Sequence, residues 1–401
     1  MPKRLNSLFL IVLIMCSINF FGLQIVRGSF FRYVQFGYLL IAILLSLPYL
    51  SPKGQAFVLP VQLISFSIFL SIFISSLTRE QSLIDSIGGT IPVLIWVVFF
   101  YLNHIQYPIE KIEKIIVGYA ILYLVLYFFQ FTHPNKGYFV DIETIDMSRG
   151  ITRIVFPGRG LFYLTVFIAI NKVTTSTKNL WFWSFLTIIG IVVTVMQVTR
   201  QFILGLTVIY LFHFLKDLKV YKKLILIASF IGIVVYISQS NNKIIEGMRE
   251  AQDQTIEAGS DYVRVQAAVF YLTDFSNSTF NRIFGNGVPY GQTSPYMKYS
   301  GWYTTNLGYW LSDVGLIAVY AMFGIFAVLG YLIIWGKSFI IKLPKEYFYL
   351  KYYLWFLLLT CFTSDTVYSP NDLIATVFVV YIYQTIYERE KLNQTFAKHT
   401  F

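Results

Sequence analysis

The sequence predicts an all-α polytopic membrane protein with about twelve transmembrane helices and one large external loop that contains short helices. Three observations support this prediction. Hydrophobic residues make up 56% of the 401-residue chain and charged residues only 13%, whereas a soluble protein carries about 25% charged residues. Apolar runs of about 20 residues, the length that crosses a bilayer, recur along the chain. The cations between these runs are sorted by type between the two sides of the membrane.

The spans are assigned in chain order from the apolar runs. A basic start, Met1–Arg4, precedes the first run, which has no cleavage site of small residues, so this run is predicted to be a retained span. The candidates at 159–173 and 201–215 are short, and the one at 307–335 is long. The predicted spans cover residues 8–26, 33–50, 57–77, 83–102, 112–131, 159–173, 180–198, 201–215, 222–240, 307–335, 348–363 and 370–387.

The threading separates lysine from arginine. It places 16 of 19 lysines but only 2 of 12 arginines on the cytoplasmic side, together with both termini. The positive-inside rule needs only positive charge, from either residue. Arginine differs in offering a planar, permanently charged fork that binds phosphate oxygens in pairs. The external face is therefore predicted to bind an anionic, phosphate-bearing ligand. The formal net charge of +11 lies on the cytoplasmic side and does not indicate nucleic-acid binding.

The chain is predicted to be a single integral membrane domain, 1–401, with two long external segments. The first, 132–158, carries Arg153 and leads into Arg159 at the start of a span. The second, 241–306, is the large external loop. Amphipathic helices are predicted within it at 244–257 and 261–275, followed by a turn-rich stretch that contains three glycines, Phe284–Gly291.

Two arginines are the main candidates for binding an anion. Arg200 separates two apolar runs with almost no loop, which places a cation at the membrane boundary. It either faces a water-filled cavity or extends its side chain to lipid headgroups. Arg264 is predicted near the start of a loop helix, where amide groups favour an anion. Its alternative partner is Asp261, three residues earlier on the same helical face.

The remaining candidates are weaker individually. Arg153 and Arg159 are candidate substrate-binding residues that could equally be solvated. Exposed aromatic side chains in the second loop could stack on sugar faces or form an interfacial belt. The four histidines have no ligand-like spacing, and both cysteines lie within apolar runs, so no metal site or disulfide is predicted. The candidate aromatic and amide residues of this loop are Tyr262, Trp302, Tyr303 and Asn306.

Several motifs in a fixed order resemble the O-antigen polymerase and O-antigen ligase superfamily, of the Wzy/WaaL type. A span ends in a Ser/Thr-Arg pair, here Thr199-Arg200. A large external loop carries an arginine on a helix, Arg264, and later a Gly-x-Gly turn, Gly285-Asn-Gly287. An asparagine, Asn306, then precedes an Asp-x-Gly-Leu sequence that begins at Asp313. The likeness covers about residues 180–335.

The resemblance implies transfer of a glycan from a polyprenyl-diphosphate-linked oligosaccharide donor to a lipid-linked acceptor sugar. Arg200 and Arg264 would bind the diphosphate with assistance from Arg159, and Asp261 or Asp313 would act as base or orient the acceptor. It implies no cofactor and no metal. The implied partners are membrane lipids and a chain-length regulator or flippase, and the location is the bacterial cytoplasmic (inner) membrane.

Alternative functions remain open. Ligases of the superfamily often carry a histidine just before the asparagine, where this chain has Thr304-Thr305, so the sequence favours a polymerase over an O-antigen ligase. A lipid-linked oligosaccharide flippase or exporter would also need a cationic cavity and about twelve spans, although transporters often show internal repeats. A glycosyltransferase that uses polyprenyl-phosphate sugars would need a carboxylate in the loop at Arg27–Arg32, which has none.

Overall fold

The computed structural model is α-helical throughout the part that it describes, which comprises residues 3–26, 28–51, 56–134, 136–139, 154–197, 199–216, 219, 221, 224 and 262–399. No strand occurs within these ranges. Short 3-10 turns connect several helices. The α-helices, numbered in chain order, are α1 (Lys3–Ser17), α2 (Ser29–Ser46), α3 (Val58–Thr78), α4 (Leu83–Thr90), α5 (Val98–Ile105), α6 (Ile109–Thr132), α7 (Arg159–Thr175), α8 (Leu180–Met196), α9 (Arg200–Leu215), α10 (Val263–Thr273), α11 (Thr279–Phe284), α12 (Pro295–Leu307), α13 (Leu316–Ile340), α14 (Phe348–Thr360) and α15 (Pro370–His399).

Several helices are long and apolar enough to cross a membrane. By length and composition these are Phe30–Tyr49, Val58–Thr78, Ile109–Thr132 and Leu316–Ile340. A fifth arises if the bent pair Leu83–Thr90 and Val93–Ile105 is one span. The protein therefore combines an all-α fold with several helices that could span a bilayer. The number of about twelve spans stays a prediction, and the predicted span at 222–240 and the predicted helix at 244–257 lie outside the described residues.

Arginines predominate at one end of the helix bundle and lysines at the other, although Lys136 and Lys298 lie at the first end and Arg389 at the second. At one end, the starts of α7 and α15 are joined by Arg159 and Asp372. At the other, the end of α7 is joined to the start of α6 by Lys172 and Glu113 at 3.5 Å. We call the first the arginine end, defined by Arg32, Arg79, Arg159, Arg200, Arg264 and Arg282. The second is the lysine end, defined by Lys172, Lys216, Lys337 and Lys351.

Several predicted spans differ from the observed helices in where they end or bend. The first, 8–26, ends as a helix at Ser17, because the backbone turns left-handed from Asn19 to Gly22. The span at 83–102 is bent by 57° at Pro92, since proline lacks the amide hydrogen that would continue the helix. The span at 370–387 continues as helix to His399.

The predicted span at 307–335 begins too early and ends too early. Helix α12 ends at Leu307, and Gly308 follows in the left-handed conformation (φ 69°) that caps a helix. Helix α13 then begins at Leu316 and runs to Ile340. The connection between α12 and α13 therefore extends to Gly315, past the limit of 306 that was predicted for the loop. Hydropathy missed this boundary because residues 307–315 are largely apolar.

A kink in α13 provides hydrogen-bond acceptors for the Gly-x-Gly turn at Gly285–Gly287. Gly324 has φ 77° and ψ −175°, a conformation that interrupts the helix. The Ala321 carbonyl accepts the backbone N–H of Asn286 at 3.0 Å, and the Met322 carbonyl accepts that of Gly287 at 2.8 Å. Irregular backbone at membrane depth is tolerated where other protein groups satisfy it. The Gly-x-Gly turn is therefore a packing element wedged against the kink.

Arg79, at the end of α3, holds the same turn from the other side. Its Nε and Nη2 donate to Asn286 Oδ1 at 2.9 and 2.6 Å, and its Nη1 donates to Asn277 Oδ1 at 3.1 Å. Its Nη2 also donates to the carbonyl of Phe275. Three aromatic rings surround this buried guanidinium at 5.1–5.4 Å: Phe275, Tyr296 and Tyr299. Arg79 thereby ties the loop to the membrane helices.

The hydrogen bonds between Arg79 and Asn286 predict that Asn286 contributes more to the free energy of unfolding than Asn306 does. Replacing Asn286 by Ala removes acceptors of a buried guanidinium and should lower the free energy of unfolding by about 1.5–3 kcal/mol. Asn306 is exposed and its side chain donates only to the Trp302 carbonyl within its own helix, so Asn306→Ala should change stability by about 0.5 kcal/mol or less. Thermal unfolding of the detergent-solubilised protein measures both. Equal losses of stability in the two variants would contradict this role of Asn286.

Candidate functional site at the arginine end

Arg159 forms the most buried ion-pair cluster of the described residues. Its Nη2 lies 2.9 Å from Asp372 Oδ2 and 2.5 Å from Asp365 Oδ1, and its Nε donates to Asp372 Oδ2 at 3.0 Å. The side chains of Arg159 and Asp372 are 13% and 3% exposed, and that of Asp365 is 27% exposed. A cation at this depth is stable only when it is paired and hydrogen-bonded. The cluster carries one positive and two negative charges.

Helix packing brings the members of this cluster together. Gly160, in the first turn of α7, lies so close to α15 that a Cβ atom there would be 2.7 Å from the Asp372 Cα. Small residues allow helix backbones to approach in this way. The ring of Phe202, on α9, lies 5.1 Å from the Arg159 guanidinium carbon and covers it. Arg159 is thus held by helices α7, α9 and α15 together.

The segment between α14 and α15, residues 361–369, links all parts of the site. Asp365 binds Arg159, and Thr363 donates its hydroxyl hydrogen to Gln201, the residue next to Arg200. The Cys361 carbonyl accepts the Leu316 N–H at 2.7 Å at the start of α13. The 3-10 turn Asp365–Val367 also contacts the turn that ends in Asp313. This 361–369 segment is therefore the structural centre of the arginine end.

Arg264 and Asp313, both candidates from the sequence, form an ion pair. Arg264 Nε lies 3.3 Å from Asp313 Oδ2, and the two side chains are 36% and 31% exposed. Arg264 is in the first turn of α10, as predicted, and Asp313 ends a 3-10 turn before α13. An ion pair exposed to this extent contributes little to stability. A stronger anionic ligand can therefore replace Asp313 at modest cost.

Arg200 begins α9 directly after the short break that follows α8, as the sequence predicts. Its side chain is half-buried, and within the described parts of the chain it forms no ion pair or hydrogen bond. Two neighbours fix its place: Gln201 accepts the hydrogen bond from Thr363, and Phe202 covers Arg159. Arg200 and Arg264 thus both lie beside elements that contact the 361–369 segment, although no contact joins them directly.

Tyr368 lies among the charged residues of the site. Burial raises the pKa of its phenol well above the usual value, and the nearby carboxylates of Asp365 and Asp313 act in the same direction, whereas Arg159 opposes them. The hydroxyl therefore stays protonated at neutral pH. Together with the contact between the 3-10 turns Leu311–Asp313 and Asp365–Val367, this places Asp313 and the Arg159 cluster in one region.

The remaining sequence candidates are placed as follows. Trp302 is 54% exposed and packs edge-on against Tyr303 at 5.0 Å, while Tyr303 packs against Phe270 at 4.2 Å. Tyr262 caps α10 and is half-buried. The Asn306 amide is occupied by its own helix. Arg153 and Asp261 lie outside the described residues.

Three residues of this region have no role in the sequence analysis: Asp365, Asp372 and Arg79. One signal could have found the first two. A charge buried within an apolar span is usually paired with an opposite charge. Asp365 precedes the last predicted span and Asp372 lies at its start, both on the predicted external side. Nothing local in the sequence indicates that Arg79 binds residues about 200 positions away. Among the described residues, no group of histidine, cysteine and acidic side chains could hold a metal ion.

Comparison with known proteins gives no assignment. No family model matches the chain, and no curated protein matches it. A function can therefore be inferred only from the geometry of the arginine end.

The cluster predicts unequal effects of its two carboxylates. Asp372→Ala leaves a buried guanidinium short of its main partner and should cost about 3–5 kcal/mol of unfolding free energy. Asp365→Ala, at a more exposed position, should cost about 1 kcal/mol. The double replacement Arg159→Met with Asp372→Leu should recover most of the loss, because the one charge that it leaves unpaired, that of Asp365, is the most exposed of the three. Unfolding in mixed micelles measures each variant; a larger loss for Asp365→Ala than for Asp372→Ala would count against this arrangement.

Proposed function

We propose that the protein is a polysaccharide polymerase that transfers a glycan from a polyprenyl-diphosphate-linked donor to a lipid-linked acceptor sugar. One observation carries the proposal. Arg200 and Arg264, from distant parts of the chain, both adjoin contacts of the 361–369 segment, and the side chains of both are partly accessible. Two such guanidinium groups at one end of a membrane bundle are suited to a lipid diphosphate.

The accessible arginines differ from the buried ones in their existing partners. Arg79 and Arg159 are occupied by the loop and by two carboxylates, respectively. Arg264 has one half-exposed carboxylate partner, and Arg200 has none among the described residues. We therefore assign the diphosphate to Arg200 and Arg264. Arg159 acts as a positioning residue that holds the 361–369 segment in place, instead of binding the diphosphate itself.

The proposed reaction needs little beyond charge stabilisation and alignment. The acceptor hydroxyl oxygen forms a bond to the anomeric carbon of the donor, and the bond from that carbon to the diphosphate oxygen breaks. The polyprenyl diphosphate leaves with the bonding electron pair, and the two arginines stabilise its charge. When the diphosphate takes the place of Asp313 at Arg264, the freed carboxylate can accept the hydroxyl proton. Alignment of the two substrates supplies the rest of the rate enhancement.

The proposal places the protein in a bacterial cytoplasmic membrane, with about twelve spans, both termini in the cytoplasm and the arginine end outside. The concentration of lysine at the opposite end of the bundle supports this orientation, since the cytoplasmic side carries the excess of positively charged residues. The polymerase is favoured over a ligase because Thr304, at the position of the ligase histidine, donates its hydroxyl to carbonyls of Ser300 and Tyr309.

The site predicts a selective loss of polymer when either accessible arginine is replaced. Arg200→Ala and Arg264→Ala should each lower the polymerisation rate about 10²-fold, the usual effect of removing one donor to a developing oxyanion. The Lys variants should restore only part of the activity, because lysine cannot bind two oxygens at once. Chain length and rate are measured on purified protein with lipid-linked repeat units.

Arg282 offers a matched control in the same loop. It is exposed to solvent and, within the described part of the chain, donates only to the Thr273 carbonyl at 2.9 Å, so Arg282→Ala should leave the rate unchanged within about twofold. In cells, the Arg200 and Arg264 variants should accumulate lipid capped with a single unit. Accumulation of untranslocated precursor would indicate a flippase instead, and normal polymer length in both variants would rule out the proposed site.

A further inference from the structure

An apolar groove of about 620 Å³ lies between α2, α3 and the bent pair α4–α5. Along α3 it extends from Gln62 to Ile72, about 15 Å at the rise of 1.5 Å per helical residue. That length is about half of the hydrocarbon core of a bilayer. The side chains that line it include Leu40, Leu44 and Phe66. A long, almost wholly apolar groove of this kind fits a hydrocarbon chain.

The groove continues toward the arginine end. Ile87 and Ile91 line both the groove and a wider cavity above it, of about 870 Å³. On α2, Arg32, Phe36 and Leu40 follow one another at four-residue spacing, so they lie on one face of the helix. Leu40 lines the groove, and Arg32 and Phe36 line the wider cavity. A cation therefore lies two helical turns beyond the apolar wall.

Arg32 also lines a neighbouring pocket of about 400 Å³ between α1, α2 and the starts of α7 and α15. The described residues that line this pocket include no carboxylate; Asp85 lines only the wider cavity. A guanidinium among neutral hydrogen-bonding groups is complementary to a phosphate. Asn371 lies beside Asp372, so the pocket borders the Arg159 cluster. Its other polar side chains are Ser17, Asn19, Gln35 and Asn371.

We propose that the groove holds the isoprenoid chain of a second polyprenyl diphosphate and that Arg32 binds its head group. The identity of this lipid rests on the proposed function. A reaction between two lipid-linked glycans requires two lipid sites, and Arg200 with Arg264 provides one of them. The Arg32 pocket, which borders the Arg159 cluster, supplies the other, with the apolar groove leading away from it along α2.

The test counts bound lipid on the full-length protein by native mass spectrometry, with polyprenyl phosphate as the probe. Leu44, which is 54% exposed, lines the groove, and Ile41, which is 51% exposed on the same helix, does not. Leu44→Trp should remove one of two bound lipids and weaken that site about tenfold or more, because excluding even two methylene groups forfeits this much affinity. Ile41→Trp should retain both lipids. Ile87→Trp serves in place of Leu44→Trp if that variant fails to fold.

The Arg32→Gln variant distinguishes binding of the phosphate head group from binding of the isoprenoid chain. It should weaken binding of polyprenyl phosphate about tenfold, the loss expected for one charge-assisted contact, and leave binding of the uncharged polyprenol unchanged. Equal lipid counts in the Leu44→Trp and Ile41→Trp variants would overturn the inference. So would equal displacement of the probe by phosphatidylglycerol, which would make the groove a site for ordinary boundary lipid.

The same variants distinguish this inference from the proposed function. If Leu44→Trp loses a lipid while Arg200→Ala and Arg264→Ala still make polymer, lipid binding in the groove is supported and the proposed function is contradicted. If the arginine variants lose polymer while Leu44→Trp keeps both lipids, the proposed function is supported and lipid binding in the groove is contradicted.

Discussion

The ion-pair cluster of Arg159 with Asp365 and Asp372 determines the geometry of the arginine end. A guanidinium that is 13% exposed inside an apolar bundle must keep its carboxylates, since an unpaired charge there costs several kcal/mol. This requirement fixes the starts of α7 and α15 and the 361–369 segment relative to one another. Gln201, the residue next to Arg200, accepts a hydrogen bond from Thr363 of this segment. Arg264 pairs with Asp313, and the turn that ends in Asp313 contacts the segment. The candidate site is therefore anchored on the helices of the bundle that carry Arg159 and Arg200.

A second constraint fixes the loop that contains α10, α11 and α12. Asn286 accepts hydrogen bonds from Arg79 and donates to the carbonyl freed by the kink at Gly324. Each of these polar groups lies in an apolar environment and is satisfied by another. The loop helices that carry Arg264 are thus attached to α3 and α13. Buried arginines stabilise the fold, and the accessible ones remain for a ligand.

The sequence predicted the parts of this structure that depend on local pattern. Apolar runs located α3, α6 and α7 to within a few residues, and the break before Arg200, the helix of Arg264 and the turn at 284–291 are present. Pairings across more than 200 positions, such as Arg159 with Asp365 and Asp372, were not predicted, because hydropathy and motif spacing do not encode which distant segments meet. The boundary at Leu307 was missed because the residues that follow it remain apolar.

The central claim is that two arginines from distant parts of the chain bind one lipid diphosphate at the arginine end. The most direct measurement is an electron cryomicroscopy structure with a non-hydrolysable bisphosphonate analogue of a polyprenyl-diphosphate-linked sugar. The account predicts density for the two phosphorus groups within hydrogen-bonding distance of both Arg200 and Arg264, with Asp313 displaced from Arg264. Head-group density away from these arginines, with the Arg264–Asp313 pair intact, would contradict it.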